Sequence, residues 1–298
     1  MVSLAVPVAD QVAGPGGLVA RTLATSVVDG PGNRFVVFLQ GCNFDCVNCH
    51  NPQTINVCDA CAECLGACDR GALQIIGGAM HFDSAACDGC DRCLDACPYA
   101  SSPMARRRSV DELLGELELR EPFLSGVTVS GGEPTLQLAF LHSLFLEVKR
   151  HPRLRRLTTF VDSNGTLPPA GWDALAPWLD GAMVDLKAAH PATHRRITGS
   201  DNEAVLATIR HLHRLGKLHE VRLLVIEGLT DVADELAAYA AFVRSVDAGV
   251  RVRLMAYRHH GVRPQGRQWP ETSPATMTRV EATLRDAGLA GVVSAPVW

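Results

Sequence analysis

Gly41-Cys42-Asn43-Phe44-Asp45-Cys46-Val47-Asn48-Cys49-His50 is the stretch on which the reading of the whole chain turns. It sets three cysteines at C-x3-C-x2-C spacing just after the apolar run Arg34 to Leu39 (RFVVFL). That run reads as a buried first strand, preceded by a turn at Val27-Val28-Asp29-Gly30-Pro31-Gly32. A cysteine loop at the end of such a strand lies on the sheet edge where α/β active sites collect. Four-iron clusters normally take four thiolates. Three thiolates so closely spaced match a [4Fe-4S] cluster with one iron open to a small ligand. The alternative is a structural zinc or iron-sulfur site completed by a ligand from elsewhere.

All eleven cysteines of the 298-residue chain fall between Cys42 and Cys97. This clustering marks ligands of a cofactor region and not small core hydrophobes. Cys58-x2-Cys61-x2-Cys64-x3-Cys68 and Cys87-x2-Cys90-x2-Cys93-x3-Cys97-Pro98 repeat the spacing of bacterial two-cluster ferredoxins. In that arrangement the fourth cysteine crosses over. One cluster takes Cys58, Cys61, Cys64 and Cys97, and the other takes Cys87, Cys90, Cys93 and Cys68. Both are then closed by thiolates and suited to carrying electrons or to bracing a segment with little apolar core of its own. The link Gly71 to Phe82 reads as a short hairpin.

The formal charge of -4 supplies no basic field for nucleic acid. No uncharged apolar stretch reaches membrane-spanning length, and residues 1–41 lack the pattern of a secretory leader. Clustered free thiols favour the reducing cytoplasm. Arg106, Arg107 and Arg108 form a basic patch, read as solvated surface with docking of an acidic electron donor as the functional option.

From Val110 onward strand-like and helix-like stretches alternate. Strands are expected at 126–130, 156–162, 181–186, 219–225 and 251–257, and helices at 110–119, 136–150, 172–178, 202–215, 231–246 and 276–287. With the opening strand this makes six β-α units on an all-parallel sheet. The strand ends carry chemistry. Ser130-Gly131-Gly132-Glu133-Pro134 combines a close-approach backbone with a carboxylate able to accept from an ammonium group. Asp162-Ser163-Asn164-Gly165 adds a second carboxylate, and period two sets Met183, Asp185 and Lys187 on one face. Tyr257-Arg258-His259-His260-Gly261 brings histidines toward the same edge.

Asp29-Gly-Pro-Gly32, Phe38-Leu-Gln-Gly-Cys42, the three-cysteine run, Cys49-His-Asn-Pro52, Ser130-Gly-Gly-Glu-Pro134, Asp162-x-Asn-Gly165 and Asp185-Leu-Lys187 together resemble a radical S-adenosylmethionine enzyme of the glycyl-radical-enzyme activase type. The eight further cysteines are similar to those of the subgroup with two auxiliary clusters. The resemblance implies an α/β fold: a partial (βα)6 TIM-like barrel from residues 1–53 and 101–298, with a ferredoxin-like two-cluster insertion at 54–100. It implies three [4Fe-4S] clusters, S-adenosylmethionine, and a monovalent cation near Asp162, Ser163, Met183 and Asp185.

By the same resemblance Cys42, Cys46 and Cys49 hold the catalytic cluster, and Gly131, Gly132 and Glu133 hold the amino end of the cofactor. Asp29 lies near the substrate backbone, Asp185 and Lys187 line the cofactor cavity, and His259 or His260 approaches the ribose or carboxylate. The position before the third cysteine is usually aromatic; Asn48 stands there, and its amide can hydrogen-bond the adenine instead. The implied reaction is reductive cleavage of S-adenosylmethionine to a 5′-deoxyadenosyl radical that takes a Cα hydrogen from a glycine of a partner enzyme. A monomer served by flavodoxin or ferredoxin is expected. A radical maturase of a peptide or small molecule, and a multi-cluster electron-transfer protein, are the competing readings.

Overall fold

The computed structural model describes residues 16–294; the ends of the expected barrel segments, residues 1–15 and 295–298, lie outside the described residues. Six parallel strands run side by side: β2 (Arg34–Leu39), β6 (Gly126–Gly131), β7 (Thr158–Ser163), β8 (Gly181–Asp185), β9 (Leu218–Val225) and β10 (Val252–Ala256). They form the centre of a nine-stranded sheet. A short parallel strand, β11 (Val292–Ser294), closes one side. On the other side β1 (Gly17–Ser26) and β5 (Arg106–Arg108) add antiparallel to β2 and to β1. The sheet is therefore mixed where an all-parallel one was expected.

Alternation along the strands sorts the two faces. Phe35, Val37, Leu39, Val127, Val129, Val161, Val184, Val221, Leu223 and Val252 pack into one apolar core beneath the helices. The intervening residues, among them Arg34, Thr128, Ser130, Asp162, Asp185, Glu220 and Arg222, face the other way. A polar inner face is tolerated because its groups pair with one another and line a cavity.

The helices are α2 (Val110–Arg120), α3 (Leu138–Arg150), α4 (Pro169–Leu175), α5 (Pro191–Thr198), α6 (Glu203–Arg214), α7 (Ala233–Val246) and α8 (Pro274–Asp286). In α6 the residues Val205, Thr208, Ile209 and Leu212 recur at helical spacing and are buried. Each of its apolar side chains contributes about 1.5–3 kcal/mol by leaving water. Ser109 and Glu112 close a reciprocal capping box at the start of α2, and such a cap is worth about 1 kcal/mol.

Residues 54–101 form a separate excursion, held at its base by bridges from Thr54 and Asn56 to Ser101. It contains the expected hairpin, β3 (Leu73–Ile76) with β4 (Ala79–Phe82), and a one-turn helix α1 (Arg92–Asp95).

Candidate active site

The three-cysteine loop hangs from the C-terminal end of β2 and is anchored on three sides. Gly41 N donates to Thr54 O and Cys42 N to Ile55 O, while Asp45 N and Val47 N donate to Thr198 O and Ile197 O at the end of α5. Arg263 crosses from the far side, with its guanidinium 2.6 Å from Asp45 Oδ1 and 2.9 Å from Cys46 O. Burial pushes the Cys42 thiol up to about 11 and the Cys46 thiol to about 12, and raises Cys49 as well. Thiols held in this way become thiolates only when a cation compensates them.

Gly131 and Gly132 press directly on this loop. A Cβ on Gly131 would meet Leu39 O at 2.2 Å, and one on Gly132 would meet Gly41 O at 2.2 Å. Their freedom from side chains is thus consumed by the close approach of β6 to the end of β2. Both still line the cavity at the strand ends.

Glu133 lies differently from the expected ammonium acceptor. It is 1 % exposed and does not line the cavity. Its carboxylate accepts from Thr135 N (3.0 Å), Ser163 Oγ (2.9 Å) and Asn164 N (2.6 Å), and so braces the turn after β7. Burial raises its affinity for a proton against these donors. Asn164 passes the brace on: its Nδ2 donates to Asn43 Oδ1 at 2.8 Å and stands 4.0 Å from Cys42 Sγ.

The cavity, of about 180 Å³, is lined by all three cysteines, His50, Gly131, Gly132, Asp162, Ser163, Asp185, Lys187 and Arg222, among others. Lys187 Nζ donates to Asp185 Oδ2 at 2.6 Å. Burial alone would lower Lys187, but Asp185 and the nearby thiols hold it above its usual range. Burial raises Asp162 to about 6 against the pull of Arg222, with Asp185 and Asp29 adding to the rise.

Arg222 was not singled out by sequence reasoning, although its period-two place with Glu220 on β9 was the available signal. Its guanidinium reaches Asp162 Oδ2 at 3.0 Å and Met183 Sδ at 2.8 Å. A fixed positive charge therefore stands between Asp162 and Met183, two of the residues expected near a monovalent cation. Arg34 was missed as well. It is fully buried, donates to Thr128 Oγ1, Val127 O and Thr158 O, and lies 4.6 Å over the ring of Phe160.

Three expected residues are placed away from the cavity. Asp29 is half-buried; its carboxylate accepts from Ser26 Oγ, and its carbonyl accepts from Thr128 on the inner face. His259 Nε2 lies 2.7 Å from Trp269 O, and His260 is exposed. Neither histidine lines the cavity; His50 does, stacked on Tyr257 with Nε2 3.0 Å from Arg258 O. The histidine-bearing loop after β10 thus clamps the cysteine loop.

The donor set suits an iron-sulfur cluster with an organic ligand beside it. Three soft thiol ligands face a cavity edged by carboxylates and cations. Asn48, 3 % exposed on the same wall, has an Nδ2 without a hydrogen-bond partner, a buried donor suited to a heterocyclic acceptor. In residues 58–97, Cys68 lines one small pocket with Cys87, Cys90 and Cys93. All eleven cysteines are free thiols, and among the described residues no group of three or more His, Cys, Asp or Glu side chains converges to hold a single metal ion.

Residues 36–240 match the Radical SAM superfamily. The chain is 33 % identical over 261 residues to the isethionate sulfite-lyase activating enzyme of Nitratidesulfovibrio vulgaris, covering 79 % of this chain and 82 % of that one. The chain belongs to the radical S-adenosylmethionine enzymes that activate glycyl radical enzymes. This activase is also 29 % identical to the pyruvate formate-lyase-activating enzyme of Streptococcus mutans, over 82 % of its own length and 79 % of that protein's. A radical SAM methyltransferase from Sphaerobacter thermophilus shares its fold, with a TM-score of 0.56 at 14 % identity over 95 % of this chain and 77 % of that one.

Proposed function

We propose that this activase holds three [4Fe-4S] clusters, one on Cys42, Cys46 and Cys49 and two in a ferredoxin-like insertion at 54–100. In this reading residues 1–53 and 101–298 form the catalytic barrel. Family membership brings S-adenosylmethionine and an iron-sulfur system, with a glycyl radical enzyme as partner. The observation that carries the catalytic assignment is that three half-buried thiols, Gly131, Gly132, Asp162, Asp185 and Lys187 line one cavity at the strand ends.

When bound, the cluster and S-adenosylmethionine supply reductive C–S cleavage and a radical able to take a Cα hydrogen from a glycine. The chain's residues do the rest by position. Lys187 and Arg222 meet the negative charge of the cofactor carboxylate, Asp162 and Asp185 offset its positive groups, and Asn48 donates to the adenine. The backbone of Gly131 and Gly132 forms the wall at the amino end, while Glu133 and Asn164 keep that wall in register with the cysteine loop. Asp29, on the turn against Thr128, meets the partner's glycine segment. Cys58, Cys61, Cys64 and Cys97 hold one auxiliary cluster, and Cys68, Cys87, Cys90 and Cys93 hold the other. This assignment follows the crossover of the fourth cysteine in two-cluster ferredoxins, and the common pocket of Cys68, Cys87, Cys90 and Cys93 supports the second set.

The protein is read as a cytoplasmic monomer working anaerobically. Its free thiols support a reducing compartment, and no helix among the described residues is long and apolar enough to cross a membrane. Flavodoxin or ferredoxin supplies the electron. The test is anaerobic reconstitution, reduction and mixing with candidate glycyl radical enzymes. The expected result is 5′-deoxyadenosine together with a glycine-centred paramagnetic signal that depends on the partner. Cofactor cleavage with modification of a peptide or small molecule, and no stored radical on any partner, would favour a maturase instead.

A further inference from the structure

Residues 54–100 carry seven Asp and Glu against two arginines, Arg70 and Arg92. Both arginines are paired within the segment, with Asp88 and Asp69. Directly after it the edge strand β5 presents Arg106 and Arg107 to solvent, without a salt-bridge partner among the described residues, while Arg108 is buried against Glu112 and Glu116. Charge on an edge strand keeps further strands from pairing there. That role accounts for the charge but not for the groove beside it.

The groove, of about 350 Å³, is lined by Arg21, Arg106, Phe82, Asp91, Leu94 and Met104, among others. Arg21 is exposed on its rim, 4.6 Å over the ring of Phe38. Asp91 and Leu94 directly follow Cys90 and Cys93 in the chain. Phe82, Asp91 and Met104 also line the pocket that contains Cys68, Cys87, Cys90 and Cys93. The opposite wall includes Gln53 and Thr54, whose carbonyls hold the Gln40 side chain and Gly41 N, next to Cys42. The groove's carboxylates are Asp91 and Glu116, and Glu116 is bound by Arg108 at 2.7 Å. A local cationic rim therefore interrupts an acidic surface between the second four-thiol set and the root of the catalytic loop.

We propose that this groove, rimmed by Arg21 and Arg106 with the exposed Arg107 next to it on β5, docks an acidic one-electron carrier protein that feeds the cluster on Cys68, Cys87, Cys90 and Cys93. The inference rests on the activase and two-cluster reading above. One electron leaves the reduced carrier and one is gained by the oxidised cluster; no bond or proton moves. Elsewhere the acidic insertion repels such a carrier, so the rim selects the docking orientation as well as strengthening the encounter.

The test uses the reconstituted full-length enzyme and a bacterial flavodoxin, with binding measured by calorimetry at low and moderate salt. Native enzyme should bind more weakly as salt rises, and the R106E/R107E double variant should bind about tenfold more weakly at low salt. A variant with the same charge change at residues that do not line the groove, R150E/R155E at and after the end of α3, should keep the native affinity. If R106E/R107E does not fold, R106Q/R107Q should show the same trend at about threefold. Native affinity in the folded arginine variants, or an equal loss in R150E/R155E, would overturn the proposal. Cofactor cleavage by the native enzyme with dithionite is scored separately, because its failure would remove the activase reading and not the docking site alone.

Discussion

The barrel and the cysteine-rich excursion are held together by different physics. In the barrel, leucine, valine and phenylalanine from both sheet and helices form one continuous core, with many side chains fully excluded from water. Between Cys58 and Cys97 only Cys64, Ala72 and Leu73 are buried. The same segment holds non-glycine residues in left-handed backbone conformation at Ala60 (φ 60°), Ala62 (φ 70°) and Asp91 (φ 56°). Ala60 and Gly89 (φ 72°) occupy equivalent places in the two cysteine runs, as do Ala62 and Asp91, so the repeat extends to the backbone. Each non-glycine residue in that region costs about 1–3 kcal/mol. On the proposed two-cluster reading, ligation supplies the stability that so small a core does not.

This contrast can be broken most drastically by anaerobic removal of iron with a chelator. Hydrogen exchange should then show loss of protection through residues 58–97, with the barrel strands still protected. Equal loss in both regions would show that the barrel also depends on metal.

Next in size is the Cys46→Ala variant, expected to abolish 5′-deoxyadenosine formation, measured chromatographically, while retaining about eight irons in the two proposed auxiliary sites. Iron content falling to zero would mean that the three sites do not assemble independently.

Arg34→Met probes the barrel floor. It leaves buried acceptors such as Val127 O and Thr158 O without their donor, and should lower unfolding free energy by about 2–4 kcal/mol in a denaturant titration. An unchanged midpoint would show that the guanidinium is dispensable there.

The smallest effect is expected from Ala62→Gly, which relieves a left-handed alanine. It should stabilise the excursion of the reconstituted protein by about 1 kcal/mol in exchange measurements and leave the barrel unchanged. Destabilisation would mean that the unfolded-chain entropy of glycine outweighs the relief.

Legibility followed the same division. The parallel strands and most helices were readable because their apolar residues recur at periods set by the backbone, and β2, β6 and β8 were expected within a residue of their observed limits. β1, β5 and the helix α5 were not expected. β1 buries only Gly17 and Val19 and mixes Arg21, Thr22, Thr25 and Ser26 into both faces, so it lacks the continuous apolar run of its neighbours. At the site, Asp162, Ser163, Asp185 and Lys187 were legible as charged or polar residues at strand ends, and they do share the cavity. Glu133 was readable as a carboxylate in the right motif, but not as one fully occupied by Ser163, Asn164 and Thr135. His259 was readable as a nearby histidine, but its ring lies against the Trp269 carbonyl.

By itself the sequence of residues determined the ligand inventory: three runs of cysteines at cluster spacing, glycines where strands crowd, and strand ends rich in charge. Spacing along the chain is enough for this, because ligands within a short loop are held together by covalent geometry. Only the tertiary structure decided which of those charges face one another. Arg222 meets Asp162 across two strands, His50 displaces the expected histidines, and Arg106 stands on the rim of a groove beside Cys90's neighbours. Those relations depend on register between elements distant in the chain, and register is set by the packing of the whole sheet.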